Sequence, residues 1–227
     1  MKRILLLAFA FLAVSSAAFA GNYVDDQAIY SSERTRLFLV NDVGFGIVYA
    51  INGPEQMKRS HGLDFTMDFF SFEYDLGQNL HFQTTLGLGE KAFRIKGDEQ
   101  FMVNDGVLGF VPYPEMAKPK FSAFSAFSFN VGAGLRYDVG NGIGLVFTPI
   151  LGVPFASRIK TKYKIDGDKQ KDKTRETGLL CPVTCDLRLM LTFTNGRSGF
   201  YVKYSPTPLI KEEKGPQFTN FSFGIIL

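Results

Sequence analysis

Apolar residues recur at every second position along most of this chain. In the stretch "GLDFTMDFF", Leu63, Phe65, Met67 and Phe69 alternate with Asp64, Thr66 and Asp68. A period of two assigns one set to each face of a β-strand. The phase then slips by one, and Phe70, Phe72 and Tyr74 carry the apolar face onward opposite Ser71 and Glu73. The extra residue near Phe69 and Phe70 predicts a β-bulge. The same alternation marks eight strands, at 41–51, 61–74, 80–89, 121–137, 143–156, 185–193, 199–204 and 218–227.

The connections alternate in length. Those at 75–79, 138–142 and 194–198 are short and carry Gly with Asn or Asp, as tight hairpins require. Those at 52–60, 90–120, 157–183 and 205–217 are longer. Two short turns share a phrase, "YDLGQN" from Tyr74 and "YDVGNG" from Tyr137. Asp75 and Asp138 are expected to open these turns, and Gly77 and Gly140 to take backbone angles that other residues resist. An even strand number, with short turns at one end and long loops at the other, is the layout of an outer-membrane barrel. The loop at 90–120 carries its own hairpin signal, "QFMVNDGVLGFV", turning at Asp105-Gly106. It is read as a hairpin above the membrane, with a ten-stranded barrel as the alternative. The charges of "RIKGDEQ" argue against a spanning strand there, because a charge on the lipid face is costly.

Composition narrows the picture. The opening "MKRILLLAFAFLAVSSAAFA" has a basic start, an apolar stretch and small residues ending in Ala18-Phe19-Ala20, which is a secretory signal peptide cleaved after Ala20. The expected organisation is a signal peptide at 1–20, a periplasmic N-terminal segment at 21–40 and an outer-membrane barrel at 41–227. No apolar run after residue 20 reaches the roughly 20 residues of a membrane helix, so a membrane location requires a barrel. There are 24 Phe and no Trp. Removing Lys2 and Arg3 takes the formal charge from +3 to +1, so no global charge points to nucleic acid. Cys181 and Cys185 are read as a disulfide in a secreted chain. Four residues apart they need a tight turn, which Pro182 could help make.

Alternation alone leaves open whether the apolar face is buried, as in a soluble lipocalin-like barrel, or turned toward lipid. The opposite face carries Asp64, Asp68, Glu73, His81, Arg136, Asp186, Arg188 and Lys203. Charges of mixed sign can pair inside an eight-stranded barrel, whose interior is just wide enough for side chains to fill. Tyr74, Tyr137, Phe193 and Tyr204 are expected near the short turns, where an aromatic girdle meets the membrane interface. Both points favour an all-β, eight-stranded antiparallel up-and-down barrel with lipid outside.

The signal peptide, the eight alternating strands, the Tyr-Asp-aliphatic-Gly turns and the terminal "FSFGIIL" resemble the small outer-membrane β-barrel family of the OmpA and OmpX type, especially its Bacteroidetes variants. Members commonly end in an aromatic residue, whereas here the last residue is Leu227 and the nearest aromatic is Phe223. The resemblance implies location in the outer membrane of a Gram-negative bacterium, contact with its lipids and lipopolysaccharide, and insertion by the outer-membrane assembly machinery.

The residues supply little chemistry. His61 and His81 are the two histidines. His81 beside Asp64, Asp68 or Glu73 could form an acid–base pair, but an interior structural network accounts for it better. No catalytic set, cofactor motif or metal cluster is evident, so an enzyme is not expected. The strongest surface feature is "SRIKTKYKIDGDKQKDKTRE". It places Lys160, Lys162 and Lys164 on one face, turns at Asp166-Gly167, and continues with Lys169, Lys171, Lys173 and Arg175. These basic residues are candidates for contact with lipopolysaccharide or another anionic surface ligand. The expected role is therefore structural or surface-interacting. The alternatives are an accessory subunit of a secretion or assembly complex and, less favoured, a lipid-modifying barrel enzyme.

Overall fold

The eight predicted strands all form, and they close on themselves. The computed structural model describes residues 28–32, 34–58, 61–95, 97–176, 178–193 and 198–227. The signal peptide and most of the third short turn lie outside the described residues. The ring consists of β2 (Thr35–Ile51), β3 (His61–Asp75), β4 (Leu80–Ile95), β7 (Lys118–Gly140), β8 (Ile143–Ile165), β10 (Thr184–Phe193), β11 (Ser198–Ser205) and β12 (Thr219–Ile226). Each pairs with its neighbour antiparallel, and β12 pairs with β2 to complete the circuit. A closed ring leaves no sheet edge between first and last strand.

Register fixes the shape. Directly paired residues can be followed once around, from Tyr74 through Phe82, Leu135, Phe147, Leu189, Val202, Phe223 and Ile47. The path returns to β3 at Leu63, eleven residues from its start, one of them the expected bulge between Asp68 and Phe70. A stagger of about ten residues at about 3.3 Å, over eight steps of about 4.8 Å, tilts the strands by roughly 40°. β7 and β8 each run 23 residues. At that tilt they stand about 55 Å tall, twice the roughly 25 Å apolar band of a membrane barrel.

Polarity inverts part-way up this wall. In the lower part of β4, Phe82, Leu86 and Leu88 face outward while His81, Gln83 and Thr85 are buried within. Above Glu90, Arg94 is exposed and Phe93 and Ile95 are buried. β2 changes in the same way, from inward Asp42 to inward Val48 and Ala50. The upper interior is a hydrophobic core in which Phe93, Phe124, Ile159, Phe218, Ile210 and Leu179 meet. The lower interior is mainly polar, apart from a small apolar cluster of Val146, Met190, Tyr201 and Ile226, and its outer wall exposes Phe45, Leu135, Phe147, Leu189 and Phe200.

The buried charges of the lower part are paired. Lys203 Nζ lies 2.8 Å from Asp64, which also accepts from Tyr201 Oη at 3.0 Å and Ser222 Oγ at 2.7 Å. Arg188 donates to Asp68 at 2.9 Å, and Lys91 to Asp186 at 2.6 Å. Tyr201 reaches Asp64 because Gly44, Gly46 and Gly224 leave room for its ring, and a Cβ on Gly46 would collide with the tyrosine oxygen and the Phe223 carbonyl. A lumen cavity of about 10 Å³, lined by Asp64, Lys91, Asp186 and Lys203 among others, has room for a single water.

Several boundaries move. The hairpin at Asp105-Gly106 forms as β5 (Glu99–Asn104) and β6 (Val107–Pro112), a separate two-stranded sheet over the mouth. The ring therefore has eight strands, not ten. β2 begins at Thr35, inside the expected N-terminal segment, and β1 (Ala28–Ser31) pairs with its lower end. The loops expected at 90–120 and 157–183 are largely strand, because β4, β7 and β8 continue above the polarity change. Tyr204 pairs with Phe221, itself opposite Tyr49, and so belongs to the upper aromatic row rather than to a short turn. Gly140 has positive φ as expected, whereas Gly77 does not. The turn after Gly140 is made by Asn141 and Gly142, with φ of 54° and 74°, as a two-residue hairpin demands.

Candidate anion-binding face

The basic stretch folds into a hairpin because Asp166 and Gly167 take φ of 51° and 93°, the combination a tight two-residue turn needs. The upper half of β8 returns as β9 (Asp168–Arg175). The register sets Lys164 against Lys169, Lys162 against Lys171, Lys160 against Lys173 and Arg158 against Arg175. Four rungs of like charge thus stand directly opposite one another, an arrangement that costs stability in the absence of a counter-charge. The Lys171 ammonium beside Lys173 holds that lysine below the ordinary lysine range. Partial burial, then Lys162 and Lys171, do the same to Lys160.

A bulge decides which way these side chains point. Phe127 pairs with Ala156 but Ser128 pairs with Pro154, so Phe155 is the extra residue. Below it the odd-numbered residues of β8 face out, Leu145 to Phe155. Above it Ser157, Ile159 and Thr161 are buried, and the even-numbered basic residues take the outer face. Ile159 anchors the arm in the mouth core. Thr161 Oγ1 lies 2.7 Å from Ser122 Oγ, which accepts from the Phe101 amide at 3.0 Å and so ties in the β5–β6 hairpin.

The face extends sideways onto β7 and β4. Lys118 pairs with Lys164 and Phe121 with Lys162. The Phe121 ring lies between Arg94 at 4.4 Å and Lys162 at 5.4 Å. Arg158 stands 5.5 Å from the Phe127 centroid and 3.6 Å from Glu90. All seven predicted anion contacts, Lys160 to Arg175, therefore share one face. Arg158, part of the basic stretch but not among those contacts, joins it, as do Arg94 and Lys118, which lie beyond the strand ends expected at 89 and 121.

The comparisons with known proteins are sparse. No family model matches the chain, and no curated protein matches it. The chain is similar to two solved structures of Ail, the attachment invasion locus protein of Yersinia pestis. One is 12% identical with a TM-score of 0.36, covering 87% of this chain and 100% of that one. The other, in complex with the heparin analogue sucrose octasulfate, is 10% identical with a TM-score of 0.37, covering 86% and 98%. The barrel assignment rests on the strand pairing itself.

The histidine reading changes partners. The predicted polar residues Asp64, Asp68, Glu73, His81, Asp186, Arg188 and Lys203 are all buried, and Arg136 is mostly so. His81, however, contacts none of Asp64, Asp68 and Glu73 directly. Its Nδ1 lies 2.5 Å from Asp75 and its Nε2 3.1 Å from Asp138. The two aspartates of the repeated Tyr-Asp phrase thus flank one imidazole. Arg36 bonds Asp75 at 2.7 Å and faces Glu73 at 3.6 Å; Arg136 bonds Asp138 at 2.8 Å and faces Glu73 at 3.5 Å. Six groups, two guanidiniums, three carboxylates and the imidazole, form a closed ring across β2, β3, β4 and β7. Every carboxylate in it is already engaged by a guanidinium, which suits a brace better than a proton shuttle.

Cys181 and Cys185 are free thiols, which corrects the expected disulfide. Cys181 is held by its amide to the Leu209 carbonyl, and the Cys185 amide bonds Thr207 Oγ1. Both amides are thereby tied to the 207–209 segment, one through a backbone carbonyl and the other through a side-chain hydroxyl. Burial pushes the Cys181 thiol up. Among the described residues no cluster of His, Cys, Asp and Glu could hold a metal.

Proposed function

We propose that this protein is a non-enzymatic outer-membrane barrel that holds a basic sheet at the cell surface, where the sheet contacts anionic molecules. The polarity inversion carries the reading. The lower wall exposes apolar rings around a paired polar interior, which suits lipid outside. The upper wall reverses both faces, which suits water. The short turns then lie in the periplasm, the basic hairpin lies outside, and the apolar mouth core closes the lumen. Lipopolysaccharide, whose headgroup is anionic, is the ligand class nearest to such a face.

Fractionation of cells and trypsin treatment of whole cells test this together. The protein is expected in the outer membrane, with cleavage confined to the β8–β9 arm and its neighbours. Recovery of the protein folded and monomeric in detergent-free buffer would refute the membrane reading. Replacing Lys160, Lys162, Lys164, Lys169, Lys171 and Lys173 by glutamine is expected to weaken binding to lipopolysaccharide, and unchanged binding would refute the surface role.

A further inference from the structure

The lowest rungs of the basic ladder touch the aromatic wall beneath them. Phe129 and Phe155 are 52% and 45% exposed, and their centroids lie 4.7 Å apart. Phe127 stands 6.5 Å from Phe155, directly under the Arg158 guanidinium. Arg158 and Arg175 form the rung above, followed by Lys160 and Lys173. The bulge at Phe155 places cations and rings on one continuous outer face.

We infer that this seam is a binding site for a phosphorylated glycolipid of the same leaflet. Its headgroup phosphates lie across the Arg158–Arg175 and Lys160–Lys173 rungs, and an acyl chain runs down Phe127, Phe129 and Phe155. The inference rests on the proposed membrane location and sharpens the ligand class. Two features select an amphiphile over a soluble polyanion. The cations nearest the apolar belt are the two arginines, whose planar forks match phosphate oxygens. The rings under them offer hydrocarbon contact that a sugar polymer cannot use. Glu90 faces Arg158 at 3.6 Å and occupies one side of that guanidinium, so Arg175 and Lys160 carry the larger share of the phosphate contact.

Native mass spectrometry of the full barrel from neutral detergent tests this. Three probes separate the sources: a diphosphorylated acylated disaccharide lipid, the same headgroup without acyl chains, and a neutral glycolipid of equal chain length. The phosphorylated lipid is expected to bind at least about tenfold more tightly than either other probe. Replacing Arg158, Lys160, Lys173 and Arg175 by glutamine is expected to remove about tenfold of that affinity, against about threefold or less for the same change at Lys162, Lys164, Lys169 and Lys171. Phe127→Ala with Phe129→Ala should weaken the acylated probe and leave the deacylated headgroup unaffected. Retained resistance to unfolding in detergent shows that each variant is folded. Equal binding of acylated and deacylated headgroups would overturn the lipid site while leaving a soluble-polyanion surface role intact. Equal binding of the neutral glycolipid would reduce the seam to ordinary lipid contact and overturn it too. No binding of any anionic probe would overturn both readings.

Discussion

The two aspartates that open similar turns do not act separately; they clamp His81 from both sides. Two guanidiniums and the imidazole then face Asp75, Glu73 and Asp138. Replacing His81 by Gln should destabilise the folded barrel by about 1–3 kcal/mol, read as a lower urea midpoint. Additive losses in His81→Gln combined with Asp138→Asn would show that no ring exists. A steric prediction sits beside the electrostatic one. Gly46→Val should cost about 1–3 kcal/mol or prevent folding, because its side chain meets Tyr201 and the Phe223 backbone. Gly77→Ala, with open space around it, should change the urea midpoint little; the reverse order of effects would contradict the cradle. The sequence made the inward parity of His81 and Lys203 legible through alternation. It could not show their partners, because those depend on the stagger between strands, which no local pattern encodes. Tyr-Asp read as a turn signal for the same reason: the contact that explains it lies on another strand.

Among the elements, β8 shows where periodicity misleads. Its large apolar residues fall mostly at odd positions, from Leu145 through Phe155 and Ile159 to Ile165, with Val146 and Ile150 the exceptions, so the sequence gives no sign of a bulge. The phase of the backbone changes at Phe155 at the level where the surroundings change too, and the two changes cancel in the pattern. In β3 the surroundings stay the same, the pattern slips, and the bulge near Phe69 was legible. Deleting Phe155 should turn Lys160, Lys162 and Lys164 toward the mouth core. In a background with both cysteines replaced by serine, Lys162→Cys should react with a membrane-impermeant maleimide on whole cells. The same cysteine in the Phe155 deletion should be protected or the barrel lost; undiminished labelling of a folded barrel would show that the bulge does not set the face.

For the whole molecule, strand number and order were readable because each strand is amphipathic and the turns are marked by Gly with Asn or Asp. Wall height was not, since the upper strands exchange their polar and apolar faces and so resemble loops to a reader expecting lipid. The filled interior predicts that the purified barrel forms no porin-like conductance steps in a planar bilayer, and such steps would contradict both the paired charges and the apolar mouth. The bulge carries one more consequence, at the level of the gene. A single in-frame codon decides whether eight cations decorate the outer face of the barrel or collide with a hydrophobic core. Loss of that codon would therefore change composition by one residue and surface chemistry by a whole face, and variants of this arm can alter its charges far more freely than its length.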